Sequence, residues 1–352
     1  MTDKYSGKFL LLLLLVFVIC FVSLCGLPLL NTKPEYKEPT LHTSKPAVQS
    51  LPKTKPAVAD KFGSALNEDI NQELSSLTTK TLWKSLLAGF QDEKQQIGLE
   101  NALIERLRKK PDSSIYQELL DLFRQGSLGG AAQQVLVSLL GEVGDYQAAE
   151  TLMGLVNEAL LDKADVKFAA FGAISKFSPE SWHEHPNTEL SPLFESAWQT
   201  ENAEFWPSIA NVMASIGTPS ALDIFIEALT EDTNAERVAI VKQAMTNLVN
   251  PALVPKLADL LENPATENVQ LASGNALANM GELQAASALF DWSVQVDAGK
   301  IDWVKQLFEI AVNTTPEFIV YLQTNLADQK FADPKIKSAI SSVLKDVKNG
   351  VE

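Results

Sequence analysis

Tight turns between helices recur at a nearly constant interval along most of the chain, and this regularity limits the fold more than any other feature. Successive turns are separated by 33, 34, 39, 33, 31 and 32 residues. A period near 33 with variable length fits two helices per unit, in which each unit covers the apolar face of the next. The pattern predicts an all-α fold, an α-solenoid of about seven helix pairs. The turns are marked by Pro111, Gly144, Ser178, Gly217, Asn250, Gly281 and Asn313.

Many helices are predicted to begin at a capping residue followed by proline. The side-chain oxygen of the first residue accepts a hydrogen bond from a free backbone N–H, and proline takes a position whose N–H needs no partner. Between these pairs apolar residues recur at helical spacing, as at Val238, Val241, Met245 and Leu248. The pairs are Ser178-Pro179, Ser191-Pro192, Thr218-Pro219, Asn250-Pro251, Asn263-Pro264, Thr315-Pro316 and Asp333-Pro334.

Four segments resemble HEAT repeats of the short bacterial type: 136–156, 209–229, 243–263 and 273–290. In each, a helix ends in a small residue, turns, and leads into an apolar helix, as in IANVMASIGTPSALDIFIEAL (209–229). The resemblance implies helix pairs stacked in one direction over 95–352, with the second helix of each pair lining a concave surface. Tetratricopeptide repeats are the alternative, because residues 144–150 would also begin such a helix. Variable unit lengths and the missing Trp-x-x-Leu-Gly-x-x-Tyr pattern favour HEAT.

An uncharged segment of 22 residues at 9–30, FLLLLLLVFVICFVSLCGLPLL, follows a short tail at 1–8. At about 1.5 Å per residue it would cross a hydrocarbon core of roughly 30 Å. We expect a retained single-pass transmembrane anchor. A cleaved signal peptide or a lipoprotein signal are the alternatives, although Ile19 before Cys20 and Leu24 before Cys25 fit lipoprotein processing poorly.

Residues 31–61 are rich in Lys and Pro and contain few large apolar side chains, which predicts a disordered, extended spacer. The segment resembles spacers that follow signal anchors in bacterial inner-membrane proteins with periplasmic domains, which implies the same location for the array. The lysines flanking the anchor are nearly balanced, so the opposite orientation stays open. Residues 62–94 are predicted to be helices that cap the array.

The charge is unevenly distributed, with a net of −15 overall. Residues 1–59 hold seven Lys and three carboxylates, a net of +4, so the rest of the chain carries −19. An acidic body argues against nucleic acids and anionic membrane surfaces as ligands, and it also favours solubility. Both cysteines lie in 9–30, so the body has no thiol nucleophile, disulfide or Cys-ligated metal.

Catalytic motifs are absent from the sequence. It has neither a phosphate-binding Gly-rich loop nor a Gly-x-Ser-x-Gly elbow. His183 and His185, with Glu180 and Glu184, are weak metal-ligand candidates, and a solvated loop is the simpler interpretation. We expect no cofactor and no small-molecule substrate. A resemblance to HEAT-like bilin lyases implies one enzymatic alternative, against which the anchor argues.

The sequence therefore predicts a non-catalytic, membrane-anchored scaffold that binds another protein, with a purely structural envelope spacer as a further alternative. Seven aromatic residues are interpreted as core or as partner anchors: Trp198, Phe205, Trp206, Phe290, Trp292, Trp303 and Phe308. If the second helices line a concave groove, the candidate partner-binding residues are Arg237, Lys242, Asn268, Gln270, Asn275 and Asn279. Charge reversal at Arg237 and Lys242 is predicted to weaken capture of an acidic partner without unfolding the array.

Overall fold

A computed structural model of the protein describes residues 74, 76–90, 93–179 and 186–349. Every regular element in these ranges is helical, so the all-α prediction is confirmed there. Short 3-10 turns lie at Thr188–Leu190, Ala203–Phe205, Pro251–Leu253 and Ala298–Lys300. The sixteen α-helices given by the described residues are α1 Thr79–Ala88, α2 Glu93–Lys109, α3 Ser113–Arg124, α4 Gly130–Val143, α5 Tyr146–Asn157, α6 Ala164–Ser175, α7 Ser191–Trp198, α8 Trp206–Ile216, α9 Pro219–Glu231, α10 Ala235–Met245, α11 Val254–Glu262, α12 Glu267–Asn279, α13 Leu283–Ser293, α14 Ile301–Thr314, α15 Glu317–Asn325 and α16 Pro334–Asn349.

The helices form two layers. In the even layer each helix packs on the next even-numbered helix, without interruption from α2 to α16. The odd layer follows the same rule from α3 to α9 and from α11 to α15, while α9 also packs on α12. Contacts between successive helices join the layers. This arrangement is consistent with the predicted α-solenoid, and its assignment to the HEAT type stays a prediction.

Glycine ends three of the even helices at the predicted turns. Gly144, Gly217 and Gly281 have φ values of 71°, 60° and 76°, in the left-handed region that glycine enters without a steric penalty. The chain then reverses, and a new helix begins within a few residues. Asp145 caps α5 by accepting a hydrogen bond from the Ala148 N–H, 2.7 Å away.

Three of the predicted cap–proline pairs begin helical structure as expected. Thr218 accepts from the Ala221 N–H at 3.1 Å, and Asp333 accepts from the Lys335 N–H at 2.8 Å. Asn250 caps a 3-10 turn that leads into α11.

Three other pairs differ from the prediction. The helix predicted to begin at Ser178-Pro179 would run into residues that lie outside the described ranges. Ser191 is already the first residue of α7, and its hydroxyl lies 2.6 Å from a Glu195 oxygen. Asn263 donates back to Asp259 of α11, so α12 begins later, capped by Thr266. At Thr315-Pro316 the helix begins at Glu317 without a side-chain cap.

Side-chain contacts between neighbouring units repeat at the interval that the turns predict. The Arg124 guanidinium meets the Glu158 carboxylate 34 residues later, at 2.8 Å and 2.5 Å. The Asn250 amide reaches back 33 residues to the Gly217 carbonyl, and the Thr314 hydroxyl reaches back 36 residues to the Ala278 carbonyl. Each contact joins equivalent parts of successive units, so polar side chains also help to set their register.

The anchor predicted at 9–30, the spacer at 31–61 and most of the capping region before α1 lie outside the described residues. Among the helices of the described part, none combines the length and the apolar composition needed to cross a membrane.

Candidate partner-binding surfaces

Arg237 lies in an aromatic cluster between α7, α8 and α10. Its guanidinium carbon is 4.5 Å from the centre of the Trp198 ring and 5.2 Å from that of Trp206. One terminal nitrogen donates to the Trp198 carbonyl at 3.2 Å, and Nε lies 3.4 Å from an Asp232 oxygen. Since Trp198 is fully buried, this cation–π contact connects Arg237 to the core. Charge reversal at Arg237 is therefore expected to lower the stability of the array, while its effect on partner capture stays a prediction.

A second cluster of the same kind lies between α13 and α14. The ring centres of Trp292 and Trp303 are 5.1 Å apart, and the Lys300 ammonium nitrogen is 5.7 Å from the ring centre of Trp303. Lys300 also donates to Gln270 Oε1 at 2.6 Å, while the Gln270 amide nitrogen donates to the Leu261 carbonyl at 2.8 Å. Gln270, a predicted partner-binding residue, thus has both ends of its amide engaged within the array.

The remaining predicted partner-binding residues are half-buried on two neighbouring even helices. Lys242 lies on α10, and Asn268, Asn275 and Asn279 lie on α12, which packs against α10. The Asn279 amide donates to the Asn275 carbonyl at 2.8 Å. The structure therefore brings these residues to one layer, and their role in partner binding stays a prediction.

The seven aromatic residues singled out from the sequence belong to the core, with one exception. All are buried apart from Trp303, which is half-buried. The core interpretation is therefore confirmed for six of them, since a buried ring is unavailable to a partner.

The most exposed aromatic side chain of the described residues is one that the sequence analysis passed over. Phe168 of α6 is 78% exposed. It borders a groove of about 550 Å³ between α4 and α6, whose other lining residues include Ala169, Gly172, Glu142 and Lys176. A signal existed in the sequence of α6, ADVKFAAFGAIS, whose apolar residues are spread around the helix instead of along one stripe.

The two layers differ in charge. The odd helices from α3 to α15 carry eleven carboxylates and two cations, whereas the even helices from α4 to α14 carry six carboxylates and four cations. The difference is greatest on α9 and α11, where Lys256 pairs with Asp223. The four other carboxylates there are exposed, and none has an ion-pair partner within the described ranges. These four, the acidic patch, are Glu227, Glu231, Asp259 and Glu262.

His183 and His185 lie outside the described residues. In the part of the chain that the structure covers, no three His, Cys, Asp or Glu side chains cluster closely enough to hold a metal ion. No protein-family model matches the chain, and no curated protein matches its sequence.

Proposed function

We propose that this protein is a non-catalytic scaffold that binds a basic segment of another protein along the odd layer of its helices. Residues 9–30 would hold it in a membrane and residues 31–61 would space the array from the bilayer, as the sequence predicts. In the bacterial setting implied by the spacer, the array stands in the periplasm. A two-layer helical array suits this role because a long surface is built from side chains of many units.

The acidic patch is the observation that supports this proposal best. Its four carboxylates lie on α9 and α11, two helices that Lys256 and Asp223 join. Exposed carboxylates that form no ion pair attract Lys and Arg side chains, and they raise the association rate of a basic partner. The even layer lacks this imbalance, so a basic partner would bind the odd layer.

The test is a pull-down with the full chain from detergent-solubilised membranes at low and high salt. The patch variant combines Glu227→Gln, Glu231→Gln, Asp259→Asn and Glu262→Gln. The control removes four exposed carboxylates from the even layer: Glu236→Gln, Glu267→Gln, Asp302→Asn and Glu309→Gln. Both variants change the net charge equally, so solubility effects are matched.

A stoichiometric protein partner should be recovered with the wild type and with the even-layer control. It should be lost with the patch variant and at high salt, because screening weakens exposed charge pairs. Equal recovery with both variants would place binding elsewhere on the array. A bound chromophore would favour the lyase alternative, and the absence of any reproducible partner would favour a structural spacer.

A further inference from the structure

Helix α6 buries one side in the array and carries a large apolar side chain on the opposite, exposed side, where Asp165 also lies. Its inner side buries Val166, Ala170 and Ile174. The ring centre of Phe171 lies 5.0 Å from the ring centre of Phe205. On the other side Phe168 remains exposed. A ring this exposed leaves a large apolar area in water, so a contact that covered Phe168 would be favourable.

The exposed residues of α6 are arranged symmetrically about its middle. Phe168 projects as a large side chain, and Gly172, one turn later, leaves a gap: a Cβ atom built there meets nothing within 4 Å among the described residues beyond its own turn of the helix. Asp165 in the first turn and Lys176 just after the last residue are also exposed. Residues 168 and 172 are centred on residue 170. Residues 165 and 176 are centred between residues 170 and 171, so the two pairs have nearly the same midpoint.

This arrangement is self-complementary under a twofold rotation. If two copies of α6 run antiparallel with the axis near residue 170, Phe168 of each copy faces Gly172 of the other. Asp165 of each copy then faces Lys176 of the other. Symmetric dimers need this property, since the same patch must fit itself. Antiparallel packing also brings oppositely charged helix ends together.

We propose that the open side of α6 is the contact surface of a homodimer in which Phe168 of one copy enters the groove between α4 and α6 of the other. The groove, at about 550 Å³, has room for the ring, and Ala169 and Gly172 let the helices approach closely. This proposal goes beyond scaffold binding, because it uses the even layer and a second copy of the chain instead of the acidic patch.

Lys176 can turn toward the second copy without leaving a carboxylate unpaired. Its ammonium lies 3.2 Å from Glu142, which Arg108 also approaches at 3.8 Å. Arg108 additionally donates to the Glu142 carbonyl at 2.9 Å through Nε. Glu142 thus keeps a cation when Lys176 pairs with Asp165 of the other copy.

The test is sedimentation velocity of the full chain in mild detergent over a hundredfold range of concentration. Gly172→Leu fills the gap, since space is open around the position of its Cβ atom, and Phe168→Lys removes the projecting ring. Each should raise the dimer dissociation constant at least tenfold. The control is Val320→Lys on α15, which alters another exposed apolar side chain (65% exposed) and should leave the dimer unchanged.

Charge exchange tests the symmetry. Asp165→Lys and Lys176→Asp should each weaken the dimer, and the double variant should restore it, because each pair then forms with its signs reversed. A chain that is monomeric at every concentration overturns the proposal. So does a dimer that persists in both Gly172→Leu and Phe168→Lys, which would place the contact elsewhere, for instance in residues 9–30. If the wild type forms no dimer but binds a different protein, and Phe168→Lys no longer binds it, the groove belongs to that protein instead.

Discussion

The side-chain amide of Asn250 donates a hydrogen bond of 2.7 Å to the carbonyl oxygen of Gly217, in the turn of the preceding unit. The other end of the same amide accepts from the Ala252 N–H at 2.9 Å. Gly217 has a φ of 60° and ends α8. One buried side chain thus begins one unit and fixes the turn of the unit before it.

Asn250→Ala should lower the free energy of unfolding by about 1–3 kcal/mol, because it leaves the Gly217 carbonyl buried without its partner. Asn263→Ala is the control, since the Asn263 amide bonds only to Asp259 of its own helix and the change should fall within about 0.5 kcal/mol. Urea unfolding followed by circular dichroism measures both. Equal losses in the two variants would show that the bond between units contributes nothing.

Two glycines of the α4–α6 pair should respond in opposite directions to the same substitution. A Cβ atom on Gly141 would lie 2.6 Å from the Ala173 Cα, whereas one on Gly172 meets open space. Gly141→Ala should cost about 1–3 kcal/mol through overpacking. Gly172→Ala should stabilise by up to about 1 kcal/mol, because alanine is the better helix former. Thermal unfolding at a concentration where the chain is monomeric measures both, and a destabilised Gly172→Ala variant would then contradict the open space beside α6.

The turn interval made the helical array predictable, because Gly144, Gly217 and Gly281 mark the ends of helices by a backbone conformation that few other residues adopt. Helix starts were less predictable. Ser, Thr and Asn cap helices but also bond elsewhere, as Ser191 does with Glu195.

The candidate surfaces were harder to predict, since sequence spacing does not say which side of an apolar helix faces inward. Phe168 and Phe171 are three residues apart in α6, yet only Phe171 packs on Phe205. Arg237 lies outside the apolar stripe of α10, and its position over Trp198 depends on a helix that lies 39 residues earlier. A contact of that kind follows from the packing of units, so periodicity within one helix could not reveal it.

Charge reversal at Arg237 should destabilise the array, a cost that the sequence did not predict. Arg237→Glu loses the cation–π contact with Trp198 and places a carboxylate beside Asp232, so a loss of about 1–2 kcal/mol is expected. Lys242→Glu, on the same helix, should stay within about 0.5 kcal/mol. Urea unfolding of both variants decides the matter. Equal stability of Arg237→Glu and wild type would show that the aromatic cluster does not need its cation.

The last prediction concerns alkaline pH and the contact between Tyr116 and Asp145. The Tyr116 hydroxyl donates to an Asp145 oxygen at 2.9 Å, and only 4% of Tyr116 is exposed. Burial, followed by the charge of Asp145, raises the pKa of Tyr116 well above its ordinary value. In the unfolded chain the phenol ionises near pH 10, while in the folded chain it keeps its proton. The contribution of Tyr116 to the free energy of unfolding is therefore fully present below about pH 10. It is lost as the pH rises further, at up to about 1.4 kcal/mol per pH unit.

Tyr116→Phe should lower the free energy of unfolding by about 1 kcal/mol at neutral pH, because the hydrogen bond is lost. It should also remove the part of the stability loss at alkaline pH that Tyr116 causes. Tyr146→Phe, which removes a phenol that is 40% exposed, is the control. The measurement is urea unfolding between pH 8 and 11. If the free energy of unfolding of Tyr116→Phe falls with pH as steeply as that of the wild type and the control, the alkaline loss arises from other groups. The contact with Asp145 would then contribute to stability only as a neutral hydrogen bond.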